Sequence, residues 1–399
     1  MQICFFEDSL SGSLKPLTLT RPCDDLRAGI LKIHEKWLLS LKTDRFTRIL
    51  KPKMEGVFDS PEIDENDDCI WINGRFLPDA NVLKAIEPLK EDEGLLSQNI
   101  PVVVKMSGSR SAKLFKAGNI NTSDIDFDDI ENGTLLAQPW SVFSVNAGEI
   151  EKDIRLLPGL KKINPDNFEG VFFKNSTQIY CGENVQIEPG TVINASDGPV
   201  VLMDDSMVMA GCLVRGSFVL GEHSVLKMGA KVYGGSTVGP HCKVGGEINN
   251  VVFQGFSNKS HDGFLGNSVI GEWCNFGADT NNSNLKNNYS NVRVVDWETG
   301  KEVDTELQFC GLIMGDHSKT AINTVLNTGT VCGVSSNIFS GTFPPKLIKS
   351  FRWMGPKGEE IFKFDKAMEV ADRMMKRRGL SLTPEYRVMM RSIFEKSNV

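Results

Sequence analysis

Leu202, Val208, Val214, Leu220, Leu226, Val232, Val238 and Val244 stand six residues apart without a miss. Four positions after most of them comes a small residue: Ser206, Cys212, Ser224, Ala230, Ser236 and Cys242. Glycine often follows the aliphatic, as at Gly221, Gly239 and Gly245. A period of six fits neither the 3.6 of a helix nor a hairpin meander. It is the signature of a hexapeptide β-solenoid, in which short strands form the flat sides of a triangular prism. The aliphatic then points inward, the small residue lets the walls close, and glycine eases the corner.

The rhythm begins near Cys181, Ile187 and Ile193, slips at "DGP", and runs to Val244. It is expected to resume at Phe264, Ile270 and Phe276, and again with Ser318, Thr324, Thr330, Ser336 and Thr342 at small-residue positions. Between these registers lies "NNSNLKNNYSNVRVVDWETGKEVDTELQF", too polar for a prism wall. Solenoid insertions project as loops, often on the binding face.

Ahead of the repeat, residues 1–155 read as mixed α/β. Strands are expected at "MQICFF", "CIWING" and "IPVVVKM", and helices over "DLRAGILKIHEKWLLSL" and after an N-cap at Asp79. "PWSVFSVNAGEIEKDI" reads as a strand followed by a helix, and 156–175 as a linker. The prism is expected over 176–343 and a helical tail over 344–399. In that tail Asp365 should cap one helix, Gly379 stop it, and Thr383–Pro384 begin another. These helices are expected to cover the open end of the prism.

The net charge of −7 gives no reason to expect nucleic acid or an anionic membrane as partner. No apolar run is long enough to span a bilayer, and the acidic start "MQICFFEDSLSG" does not read as a signal peptide. With nine cysteines and no CxxC pair, reduced core thiols in a cytoplasmic protein are expected.

His261 falls where the repeat breaks, in "SNKSHDGFLGN". It is either a surface histidine or a general base poised near neutrality. Asp262 follows it, although adjacent residues on a strand face opposite ways. His223 and His241, 18 residues apart, should stack one coil apart on an edge. With His261 a little over a coil further on, they leave open a three-histidine zinc site.

"SHDGFLGNSVIGEWCNFGADTNNSNLKNN" resembles the acetyltransferase domain of the bifunctional N-acetylglucosamine-1-phosphate uridylyltransferase / glucosamine-1-phosphate acetyltransferase family, in a divergent branch with a shortened first domain. The family's His-x-x-aromatic-Leu-Gly run is matched by His261, Phe264, Leu265 and Gly266. Its two asparagines are matched by Asn275 and Asn284. The resemblance implies an α/β, Rossmann-like nucleotidyltransferase domain, a left-handed parallel β-helix and a short helical tail. It implies His261 as catalytic base, with Asn275 and Asn284 positioning substrate and thioester. Phe264 replaces the family's tyrosine. Lys259, Lys231 and Arg215 are candidates for the sugar phosphate, and Ser318, Lys319 and Asn323, beyond His317, for acyl-CoA.

The first domain resembles sugar nucleotidyltransferases more loosely. Thr20, Arg21, Arg27 and Lys36 are its candidate nucleotide contacts, without the family's glycine doublet. Asp79 and Asn146 are candidate ligands for Mg²⁺, because no carboxylate stands at Gly74–Arg75. The implied substrates are acetyl-CoA, an amino sugar 1-phosphate and a nucleoside triphosphate, and the implied assembly is a homotrimer. Two other classes stay open: a non-catalytic sugar-nucleotide-binding protein with a degenerate first domain, and a metalloenzyme like the gamma-class carbonic anhydrases, built on the same prism.

Overall fold

The computed structural model describes residues 1–118, 120 and 122–397. Its first domain holds a six-stranded mixed sheet. Gln2–Phe6 lies between Phe46–Arg48 and Cys69–Asn73, parallel to both, and Ile100–Met106 pairs antiparallel to Cys69–Asn73. All five residues of Gln2–Phe6 and of Cys69–Asn73 are buried, as near-continuous apolar strands covered on both faces require. Helix α1 spans Ile33–Leu41, shorter than expected. Helix α2 spans Ala80–Ile86 and is capped by Asp79, whose carboxylate accepts from the Asn81 and Val82 N–H groups. Helix α3 spans Gly108–Ala117, and α4 Ser141–Leu156. "PWSVFS" is therefore the start of a helix rather than a strand.

Parallel strand pairing runs through the second domain from Phe172–Lys174 to Arg352–Gly355, further at both ends than 176–343. The eight aliphatics of the clean register are each at most 2% exposed and share one core. The small residues behind them are buried to the same degree. Departures from period six explain where the pattern is lost. The register pairs Val244 with Lys259, a coil of fifteen residues, so a lysine takes the next interior position. Leu265, and not Phe264, then pairs with Ile248 inside the prism. Phe264 belongs to an outward column, in line with Lys231 and Glu247. Thr342 is exposed and lies outside the repeat.

The first domain docks on an outer wall of the prism. Val201, Val219, Thr237, Val252, Val269, Ile313 and Val331 follow one another coil by coil along the outer face of that wall. All are buried, although they alternate with inward residues such as Leu220, Val238 and Phe253. A wall apolar on both faces must be covered, and α4 with the first domain's core covers it. The polar insertion joins this interface. Its hairpin, Arg293–Val295 against Glu302–Asp304, buries Val292 and Val294 in the same core.

Helices α5, Phe364–Lys376, and α6, Pro384–Ser397, close the chain. Asp365 sits in the first turn of α5 rather than at its cap, and Gly379 follows in the left-handed region at φ 72°. The helices do not seal the prism end, where an antiparallel hairpin over 352–361 covers the last coil. They pack on Val334, Phe351 and Met54 and run back along one prism edge.

Candidate functional site

Every coil turns one corner through a residue in the left-handed region, among them His223, His241, Phe256, Trp273 and His317. Their rings stack into a ladder, with centroids 4.9 Å apart for His223–His241, 4.8 Å for His241–Phe256 and 4.3 Å for Phe256–Trp273. His317 follows at 6.2 Å, and its Nε2 lies 2.9 Å from the Tyr386 hydroxyl of α6. Burial pushes the His317 pKa down to about 3. The predicted stacking of His223 on His241 is present. The third rung is Phe256, however, so His261 does not complete a zinc triad. Among the described residues, no three His, Cys, Asp or Glu side chains converge as metal ligands.

His261 lies at a different corner, exposed, in the bend between Asn258–Lys259 and Phe264–Glu272. It borders two hollows. The larger, about 570 Å³, runs between the prism and α5 and is lined by His261, Asn275, Lys319, Lys227, Lys243, Arg377 and Arg378, over the edges of Phe256 and Trp273. No carboxylate lines it. The smaller, about 340 Å³, adds Asp262 and Asp279 to His261 and Lys227.

One column builds the floor of the larger cleft. Lys243, Asn258, Asn275 and Lys319 succeed one another coil by coil on an outer wall. The Lys319 ammonium donates to the His317 carbonyl at 2.7 Å, and burial pushes its pKa down to about 8. Arg378, just beyond α5, reaches the His241 carbonyl and Asn258 Oδ1 at 3.3 and 3.4 Å. The sequence reading did not single out Lys227, Lys243, Arg377 or Arg378. The run "KRRG" was the available signal for the last two, and counting coils of fifteen and seventeen residues would have aligned Lys243 with Asn275.

Other candidates sit elsewhere. Lys259 is 2% exposed inside the prism, with its ammonium on the Gly245 and His261 carbonyls at 3.1 and 2.9 Å, so it is not free to hold a phosphate. Burial pushes its pKa down to about 8. Ser318 is fully buried, with its hydroxyl on the Gly333 carbonyl at 2.6 Å, and cannot reach a cofactor on the outer wall. Asn323 is exposed at the corner that follows Asp279, where its N–H donates to the Ala278 carbonyl. Asn284 donates to Asn267 Oδ1 at 2.8 Å and flanks Phe264 across Gly266, on the adjoining wall. Lys231 and Arg215 are exposed on that wall, Arg215 being 3.6 Å from Asp197.

The nucleotide candidates of the first domain are spent on docking or on its own core. Arg21 is 3% exposed, bridges Asp316 at 2.6 Å and Glu272 at 3.0 Å, and is joined on Asp316 by the Thr20 hydroxyl. Burial opposes ionisation of Glu272, but Arg21 outweighs it and holds the carboxyl down at about 2. Arg27 exchanges hydrogen bonds with Gln254, and buried Lys36 pairs with Glu149 and Asp153. Asn146 accepts from the Gly29 N–H and donates to Gly235 and to Thr237, the one polar residue of the docking column. Asp79 is occupied as a helix cap. At Gly74–Arg75 the Arg75 guanidinium takes Asp8 and the Leu136 carbonyl. These residues do not fit a Mg²⁺ site, and no metal-dependent step follows from them.

The fold and the cleft define a class: a mixed α/β domain docked on a β-solenoid whose open corner carries a histidine. Residues 3–160 match the family model described as sugar nucleotidyl transferase. The chain is similar to the bifunctional protein GlmU of Gloeobacter violaceus, 30% identical over 34% of this chain and 31% of that protein. It is 26% identical to the GlmU protein of Geotalea uraniireducens over 58% of this chain and 48% of that one. A bifunctional sugar-1-phosphate nucleotidylyltransferase/acetyltransferase of Sulfurisphaera tokodaii is 24% identical over 52% and 44%. The chain spans about a third to a half of the length of these relatives. Among the described residues no helix is long and apolar enough to cross a membrane.

Proposed function

We propose that the prism transfers an acetyl group from acetyl-CoA to the amino group of a phosphorylated amino sugar, with His261 as general base. One observation carries the reading: His261 stands between a cleft lined by cations and a hollow holding two carboxylates. The first suits the phosphates of CoA, with Lys227, Lys243, Arg377 and Arg378 as their partners. The second suits an ammonium, through Asp262 and Asp279.

An amine protonated near neutrality cannot attack a thioester until it loses a proton, and His261 borders both reactants. The freed nitrogen attacks the thioester carbonyl carbon. Asn275 and prism N–H groups donate to the resulting oxyanion. The carbon–sulfur bond then breaks, the amide nitrogen gives up its second proton to solvent, and the imidazolium returns the first to the departing thiolate. Asn284 and Phe264 would flank the sugar, with Lys231 and Arg215 as its phosphate contacts and Asn323 beside the CoA. A homotrimer would bring a neighbour's wall to this corner, which sedimentation tests.

The test is CoA release from acetyl-CoA with glucosamine 1-phosphate. Turnover dependent on the sugar supports the reading, and no release with any amino sugar phosphate removes it. For the first domain, pyrophosphate release from UTP, dTTP or GTP with sugar 1-phosphates and Mg²⁺ tests nucleotidyl transfer. Binding of sugar nucleotides without turnover in either assay would favour a non-catalytic binding protein.

A further inference from the structure

Five cations line the larger cleft beside His261, and Lys319 is set apart from Lys227, Lys243, Arg377 and Arg378. It stands on the floor, on the coil next to Asn275. The two residues pair in parallel, and the Asn275 N–H donates to the Ser318 carbonyl at 3.1 Å. Neighbouring strands lie about 4.7–4.9 Å apart, so a thioester carbonyl held at Asn275 is within a lysine side chain's reach of Lys319 Nζ.

The surroundings favour the neutral, nucleophilic form of this amine. Lys319 is half-buried, and no carboxylate lines the cleft to hold its charge. Among the described residues its ammonium has one hydrogen-bond partner, the His317 carbonyl at 2.7 Å. Burial pushes its pKa down to about 8, where an ordinary lysine titrates near 10.4. A neutral amine still has an N–H to donate to that carbonyl, which anchors the nitrogen and leaves its lone pair free to attack.

We propose that Lys319 is a site of self-acetylation: with no amino sugar present, a thioester bound in this cleft passes its acetyl group to Lys319 Nζ. The inference rests on the reading that acetyl-CoA occupies the cleft, and on neither the sugar acceptor nor His261 as base. The ammonium first releases one proton to solvent. Its nitrogen then attacks the thioester carbonyl carbon, a carbon–nitrogen bond forms and the carbon–sulfur bond breaks. The second proton of the nitrogen passes to the departing thiolate, which leaves N-acetyl-lysine and the free CoA thiol. The amide carries no charge, so the cleft loses a cation and should hold CoA less tightly, which makes the modification self-limiting.

Peptide mass mapping of the full chain after incubation with acetyl-CoA and no sugar tests it. Lys319 should be acetylated at least about tenfold faster than Lys227 and Lys243 of the same cleft, with half-maximal rate near pH 8. One equivalent of CoA should be released per chain, and Lys319→Arg, which keeps the cation, should abolish that release. Excess free CoA should block the labelling. No acetyl on Lys319, labelling spread evenly over the lysines, or labelling that free CoA leaves unchanged overturns the proposal. Sugar-dependent CoA release with Lys319 unmodified overturns it too, while transfer to the sugar stands. Acetyl-Lys319 with no sugar-dependent release supports it and removes transfer to the sugar instead.

Discussion

Two corners of the same prism carry histidines and use them in opposite ways. At one, His223, His241 and His317 are rungs of a stack that continues through Phe256 and Trp273 and ends on Tyr386 of α6. At the other, His261 is exposed between two polar hollows. An imidazole inside the stack works as a flat ring, and burial pushes the pKa down at His241 and His317. One on an open ridge is within reach of a ligand in either hollow. The surroundings, more than the residue type, decide which histidine is a candidate for chemistry.

The contrast can be broken most forcefully at Trp273, 4% exposed between Phe256 and His317. Trp273→Ala should cost about 3–5 kcal/mol, read by denaturant unfolding. A loss under 1 kcal/mol would mean that the stack does not support the prism.

Acid should weaken the same corner. The His317 pKa lies at about 3 in the folded chain and near 6.5 when unfolded, so between these values the unfolded state binds more protons. The contribution is whole above pH 6.5 and is lost as pH falls toward 3, by up to roughly 4 kcal/mol. His317→Phe should flatten that part of the stability profile, and an unchanged profile would contradict the assignment.

A smaller effect concerns Lys259, beneath the open corner. Its pKa of about 8 means that the folded chain disfavours the charged form, so stability should rise with pH between about 8 and 10.5. Lys259→Met should raise stability at pH 7 by something on the order of 2 kcal/mol, read as a higher melting temperature, and by less at pH 10. A lower melting temperature at pH 7 would show that the two carbonyl contacts outweigh the cost of burial. Smallest of all, His241→Phe keeps a ring in the ladder and should change stability by no more than about 0.5 kcal/mol.

The sequence made the prism legible because each hexad aliphatic packs on its equivalent one coil away, so the contact is written as a repeat. The phase was lost after Val244, where a coil of fifteen residues carries no local mark and puts Lys259 inside. The open corner was found at His261, Asn275 and Lys319, but Arg377 and Arg378, which complete it from the end of α5, lie more than a hundred residues beyond His261. For Thr20, Arg21, Arg27 and Lys36, residue type suggested phosphate. Their partners Asp316, Glu272, Gln254 and Asp153 are set by docking, which no local pattern encodes.

CoA release measured side by side for His261→Ala and His241→Phe tests the account most directly. Removing the base should lower the rate about 10²–10⁴-fold with the melting temperature unchanged, while the ladder variant keeps the wild-type rate. Equal rates for His261→Ala and the wild type, or a greater loss in His241→Phe, would contradict it.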